Sequence, residues 1–139
     1  MFLGLVCTIS ASLLFKLGAA PYHMWIADVY EGAPTIVIFA VVPKIAVFIV
    51  ILRLSFLTFW SFFPVFWEDF FCLCGILSLF IGCLCGLGET KIKRLLAFSS
   101  VGHVGFLCIY IGLASGSLEG LQGVLFYLFI YMLTAAFLW

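Results

Sequence analysis

The stretch Phe2–Trp25, FLGLVCTISASLLFKLGAAPYHMW, decides how the rest of the chain is read. Its first part, to Ala20, is apolar with a single charge at Lys16. A run of about 20 such residues crosses the hydrocarbon core of a bilayer, so a span begins at Phe2 and is read as a span in its own right, not as a cleaved leader. It does not end cleanly. Gly18 and Pro21 interrupt it, and an amphipathic run continues to Tyr30. The pattern predicts one transmembrane unit over about 2–28 that unwinds near its middle and resumes, with Lys16 near the centre. Irregular backbone at that depth is tolerated only where protein or water surrounds it, and discontinuous helices mark transport sites. The plainer alternative is a helix that stops at Ala20 and an interfacial turn.

Composition supports the membrane reading throughout. Of 139 residues, 67% are apolar and 9% charged, against about 45–50% and about 25% in soluble domains. Six basic residues balance six acidic ones, leaving no net charge to attract a nucleic acid. A soluble domain, a disordered chain and a nucleic-acid partner are therefore excluded. Asp28 and Glu31 lead into Gly32-Ala33-Pro34, which is turn chemistry. Further spans are expected over about 35–54, 70–87, 95–114 and 121–139, giving about five in all and a single membrane domain over 1–139. Residues 55–69, with Trp60, Pro64, Trp67, Glu68 and Asp69, read as an interfacial connection because Trp rings favour the membrane–water boundary. Gly82 and Gly86 form a small-xxx-small pair suited to close helix packing. Lys91, Lys93 and Arg94 on one side outnumber Arg53 on the other, so the first and third connections are assigned to the matrix or cytoplasmic face.

Three ionisable side chains fall at or near the middle of three spans: Lys16, Lys44 (directly after Pro43) and His103. A lysine at the bilayer centre is unfavourable by about 2.5–3.5 kcal/mol on insertion scales, so each must face a bundle interior, a polar cavity or a partner. Removal from water weakens an ammonium's hold on its proton, and a second cation nearby weakens it further. The two lysines are thus candidates for a proton relay, and an imidazole suits a station between them. The blander readings are an ion pair with a neighbouring chain's carboxylate for each lysine, and a core His103 satisfied by Ser99, Ser100 or a carbonyl. The set signals charge movement without saying which ion moves. No covalent catalytic set is present in the sequence. Cys72/Cys74 and Cys83/Cys85 have the look of metal spacing, but i and i+2 diverge on a helix and zinc needs four converging ligands, so no metal is assigned. The six cysteines sit in apolar runs and are not a disulfide framework. Lys91, Lys93 and Arg94 are candidates for an anionic lipid head group such as cardiolipin, alongside their topological role.

The runs FKLGAAPYHMW (15–25), DVYEGAPT (28–35), Val42-Pro43-Lys44, KIKRLLAFSSVGHVGF (91–106) and FYLFIY (126–131) resemble the chain 2 family of NADH–ubiquinone oxidoreductase, the antiporter-like membrane-arm subunits of respiratory complex I. The resemblance implies an all-α polytopic bundle belonging to a fold of two inverted five-helix repeats, of which this chain matches the seventh to eleventh helices. It implies proton translocation coupled to electron transfer from NADH to ubiquinone, with Lys16 as the broken-helix lysine, Lys44 as the next relay lysine and His103 extending the polar axis. The family's glutamate on an earlier helix and its second broken-helix lysine have no counterpart here. The expectation is a split or truncated subunit completed by another chain. Flavin, iron–sulfur clusters and ubiquinone would be bound by other subunits, with no cofactor in this chain. Its partners would be other membrane-arm subunits and membrane lipids, and its location the mitochondrial inner membrane, multi-pass. The 17 phenylalanines and six cysteines, both with T-rich codons, fit an organellar gene. A subunit of a cation/proton antiporter complex, and a structural remnant that scaffolds the arm without pumping, are the rival expectations.

Overall fold

A backbone in hydrocarbon must satisfy its own polar groups, and a helix does this within one segment. The computed structural model describes residues 2–33, 36–55, 64–113 and 117–138, and its regular elements are six helices. In chain order they are α1 (Phe2–Leu17), α2 (Met24–Gly32), α3 (Ile36–Leu54), α4 (Pro64–Leu87), α5 (Ile92–Leu113) and α6 (Leu118–Leu138). Phe66–Leu87, Ile92–Leu113 and Glu119–Leu138 are each long and apolar enough to cross a membrane, and Gly4–Leu17 is a shorter apolar helix. Trp60, Gly116 and Trp139 lie outside the described residues.

The first unit is broken, as its sequence indicates, and the break is well satisfied. Gly18 takes φ +70°, the left-handed conformation that glycine adopts without steric penalty. The Gly18 amide donates to Phe15 O and the Ala19 amide to Leu14 O, both at 3.1 Å. Together they form a Schellman cap that closes α1. Glycine is required there twice over, because a Cβ on Gly18 would fall 1.6 Å from Ile26 Cδ1. Beyond the cap, the buried Ala20 amide donates to Ser78 Oγ of α4 at 2.9 Å, and that hydroxyl donates to Cys74 O at 2.7 Å. The Trp25 indole N–H returns to Phe15 O at 3.1 Å. The irregular backbone therefore finds its partners within the protein.

Each helix buries a stripe at helical spacing. Val6, Ser10, Leu14 and Leu17 do so on α1, Phe48, Ile51 and Leu52 on α3, and Val124, Leu128, Tyr131 and Ala135 on α6. Helix α5 lies at the centre, packed on α4, α2 and α6, while α3 touches α1 and α6. Lipid tails are as apolar as leucine, so association of such helices depends on close approach and hydrogen bonds. The antiparallel α4–α5 pair achieves the closest approach. A Cβ on Gly75 would sit 2.8 Å from Gly105 O, and one on Gly105 would sit 2.9 Å from Gly75 O. The same fit recurs at Gly82 against Phe98 O (3.0 Å) and at Gly112 against Glu68 O (3.0 Å). These contacts fall seven residues apart on both helices, a spacing that keeps one seam facing its partner. Gly86, paired with Gly82 in the sequence reading, would meet only Phe98 Cβ at an ordinary 3.8 Å.

Helix α4 also starts earlier than expected. Residues 64–69, read as part of a connection, belong to the helix. Trp67, near the start of the candidate span, is fully buried within the protein. Its indole N–H donates to Ser55 Oγ at 2.9 Å, and its ring stands 4.6 Å from Phe71. The indole's apolar body is placed in the core because a hydroxyl is available there for its single donor.

The seam makes a clear expectation. Gly105→Val should force α4 and α5 apart and destabilise the bundle by about 1–3 kcal/mol. Gly102→Ala, whose Cβ meets nothing within 4 Å, should be close to neutral. The yield and thermal midpoint of protein extracted in mild detergent would separate the two.

Candidate functional site

Pro43 cannot donate the backbone hydrogen bond expected at its position, and Lys44 follows it on the buried stripe of α3, 4% exposed. Its ammonium donates to Ser100 Oγ of α5 at 2.9 Å and to Tyr131 OH of α6 at 3.3 Å. Ser100 can accept because its own hydrogen is directed to Ala97 O at 2.7 Å. Two aromatic faces complete the shell. Nζ lies 5.6 Å from the centre of the Tyr30 ring on α2 and 5.9 Å from that of Tyr131. Among the described residues no carboxylate pairs with Lys44. A desolvated cation is thus held by hydroxyl oxygens and ring quadrupoles, groups that orient it without fixing its proton as a carboxylate would.

His103, one turn along α5 from Ser100, is half-buried. Its Nδ1 is 2.8 Å from Tyr127 OH, so the partner is a tyrosine on α6 and not Ser99 or Ser100. The imidazole also lies 5.3 Å from the Tyr131 ring. Between these groups is a cavity of about 20 Å³, lined by Ser99, Ser100, His103, Tyr131 and Thr134 among others. That is room for a single water molecule, and its walls carry enough polar groups to hold one. Lys44 and His103 are thereby brought to the two sides of one polar core.

Lys16 is not brought to it. It lies in the last turn of α1, exposed beside Phe15. The cationic cluster is occupied by carboxylates. Lys91 is ion-paired with Glu31, and Arg94 lies 3.5 Å from Glu89, 3.6 Å from Asp28 and 3.8 Å from Glu31. Lys93 is exposed. The contacts put the first and third connections at the same end of the bundle. The Lys91 hydrogen bond, with the charges of Arg94 and Lys93, holds the Glu31 carboxyl below its ordinary range despite some opposing desolvation. Sequence reasoning did not single out Tyr30, Tyr127 or Tyr131. The available signal was three tyrosines in segments flanking mid-span cations.

These features define a polytopic, all-α membrane protein whose helices converge on a buried ionisable lysine. The family model for "NADH:quinone oxidoreductase/Mrp antiporter, TM" matches residues 1–139, and the chain belongs to that family. It is 44% identical over 135 residues to NADH-ubiquinone oxidoreductase chain 2 of Marchantia polymorpha, covering 96% of this chain and 26% of that protein. The Arabidopsis thaliana protein of the same name is 43% identical over 135 residues. NADH-quinone oxidoreductase subunit N of Rhodospirillum rubrum is 46% identical over 134 residues, with 95% of this chain and 27% of that one covered. The chain thus spans about a quarter of the length of these relatives.

The Glu31 contact has a definite pH dependence. A carboxyl whose pKa is lowered on folding stabilises the fold above the ordinary carboxylate range, and the contribution is lost as pH falls through the lowered value. Protection of the α2 amides against hydrogen exchange should therefore stay level from about pH 8 to about pH 5 and fall only below about pH 4. Loss of protection around pH 6 would contradict the assignment.

Proposed function

We propose that this chain is part of the membrane arm of respiratory complex I and contributes to proton translocation coupled to NADH–ubiquinone electron transfer. The observation that carries the reading is the Lys44 ammonium, buried at mid-helix among hydroxyls and rings with no carboxylate beside it among the described residues. The names of its relatives and its family membership support the same reading. Lys44 holds the proton, and Ser100 and Tyr131 give it a path towards a water-sized cavity and the His103–Tyr127 pair. Lys16, at the helix break, is the preceding station in this proposal. It awaits the remaining helices, which other chains or other parts of a longer chain would supply. Flavin, iron–sulfur clusters and ubiquinone are assigned to other subunits, and the location to the mitochondrial inner membrane. Lys93, exposed and outside the ion pairs formed among the described residues, remains a candidate contact for an anionic lipid.

The test measures protons pumped per NADH oxidised in vesicles carrying the assembled complex. Lys44→Arg keeps the charge, but a guanidinium is about two or more pH units harder to deprotonate than an ammonium, so proton release there should slow by roughly a hundredfold. Lys44→Ala should also lose pumping through this chain. Normal pumping by a fully assembled Lys44→Arg complex would exclude a titrating lysine. Normal assembly and pumping in both Lys16→Ala and Lys44→Ala would leave a scaffold. Sodium–proton exchange without NADH oxidation would instead point to an antiporter complex.

A further inference from the structure

The charges at one end of the bundle break the usual rule for helix termini. Negative side chains are favoured at a helix N-terminus and positive ones at its C-terminus. Helix α2 carries Glu31 in its last turn and no basic residue there. Helix α5 begins with Lys93 and Arg94, follows Lys91, and has no acidic residue in its first turn. Glu31 is misplaced for α2, and Lys91 and Arg94 for α5, yet each set suits the other, since Glu31 and the mid-helix Asp28 meet Lys91 and Arg94. Arg94 is shared with Glu89, just ahead of α5. The arrangement favours the docking of α2 on α5 above either helix alone.

Helix α2 needs such a constraint. It has nine residues, fewer than the roughly 12–15 required for marginal stability in isolation. Its ties to α1, the Trp25 indole bond to Phe15 O and the seat of Ile26 against Gly18, lie at its N-terminal end, away from Tyr30. Its buried face is Ile26, Ala27 and Tyr30, packed with Ala97, Val101 and Ala135. The buried side chains it meets on α5 and α6 are small and offer little relief against rotation about the helix axis, with partly buried Trp25, Ile45 and Met132 at the edge of the contact. Glu31 follows Ala27 by one turn and Asp28 adjoins it, so both carboxylates lie along one flank of that face. A pull on that flank sets the rotation of α2 and hence the place of the Tyr30 ring. The ring centre is 5.6 Å from Lys44 Nζ, near the outer reach of about 6 Å for a cation over a ring, so little slack exists. The other groups facing Lys44 are Ser100 and His103 from α5 and Tyr131 from α6.

We propose that Arg94 and Lys91, acting through Asp28 and Glu31, are positioning residues that hold the Tyr30 ring over the Lys44 ammonium. The linkage rests on the reading of Lys44 as the proton carrier. Two of its members are largely solvent-accessible, Lys91 at 62% and Asp28 at 77% of the side chain, and Arg94 and Glu31 are about a third exposed, so screened pairs of this kind add little stability. Their contribution is orientation, so breaking them affects proton transfer more than assembly.

The experiment uses the assembled complex in vesicles, with its amount read on a native gel and pumping as protons per NADH. Tyr30→Leu should cut proton transfer through this chain by about tenfold, and Tyr30→Phe, which keeps the ring, should restore most of it. Arg94→Gln should lower pumping without lowering the amount assembled. In the double variant Tyr30→Leu with Arg94→Gln, the loss should be no greater than in Tyr30→Leu alone, because both act through one contact. Multiplicative losses would overturn the linkage. Should Arg94→Gln fail to assemble, Glu31→Lys combined with Lys91→Glu tests the same contact, and full assembly without recovered pumping would overturn it too. The two readings separate cleanly. Normal pumping by Lys44→Arg removes the relay itself, whereas loss in Lys44→Arg with normal pumping in Tyr30→Leu and Arg94→Gln removes only the linkage.

Discussion

The ammonium of Lys44 is met from three other helices, by a ring on α2, a hydroxyl on α5 and a hydroxyl and ring on α6. This convergence orders the bundle. A cation out of water must be surrounded by oxygens, ring faces or countercharge. With no carboxylate paired to it among the described residues, the neutral groups have to come from several elements at once. Helix α5 supplies Ser100 on one turn and His103 on the next, and so lies at the centre. Helix α6 is bound to the same point through Tyr131, and α2 through Tyr30.

The break in the first unit is what makes α2 available for that task. The break lets α2 pack on α5, where Tyr30 meets the Lys44 ammonium of α3. The Schellman cap at Gly18 ends α1, and Ser78 receives the Ala20 amide that the break would otherwise strand. Ser78 itself stands on α4, which the glycine seam holds tightly against α5. The Ala20 amide at the break is thus held by a helix that the glycine contacts at Gly75 and Gly105 seat against α5.

Much of this was legible in the sequence. The apolar runs, the punctuation at Gly18 and Pro21, and the unfavourable mid-span positions of Lys44 and His103 gave the all-α membrane fold, the broken helix and two of the site's side chains. The packing of Trp67 was not legible, because the hydroxyl that receives its indole N–H, Ser55, stands 12 residues away, just past the end of α3. The glycine seam was missed for a related reason. A four-residue spacing at Gly82 and Gly86 is visible within one helix, whereas the operative spacing of seven acquires meaning only when α5 runs back alongside α4. Tyr30, Tyr127 and Tyr131 were hidden because tyrosine is ordinary in a membrane helix. Only tertiary packing reveals which of them face a cation.

The bundle divides into parts of different stiffness. The α4–α5 pair is fixed by backbone-to-backbone approach, where adding even a methyl group forces a shift. The α2–α5 contact rests on small side chains and on charges whose attraction falls with salt and acidity. A group that takes up and releases a proton changes its own charge and with it the attraction to the rings around it, so its surroundings must accept two arrangements. Placing Ser100 on the stiff pair and Tyr30 on the soft one satisfies that requirement. The hydroxyl gives Lys44 a fixed address, and the ring is placed by the ion pairs of the half-helix that carries it.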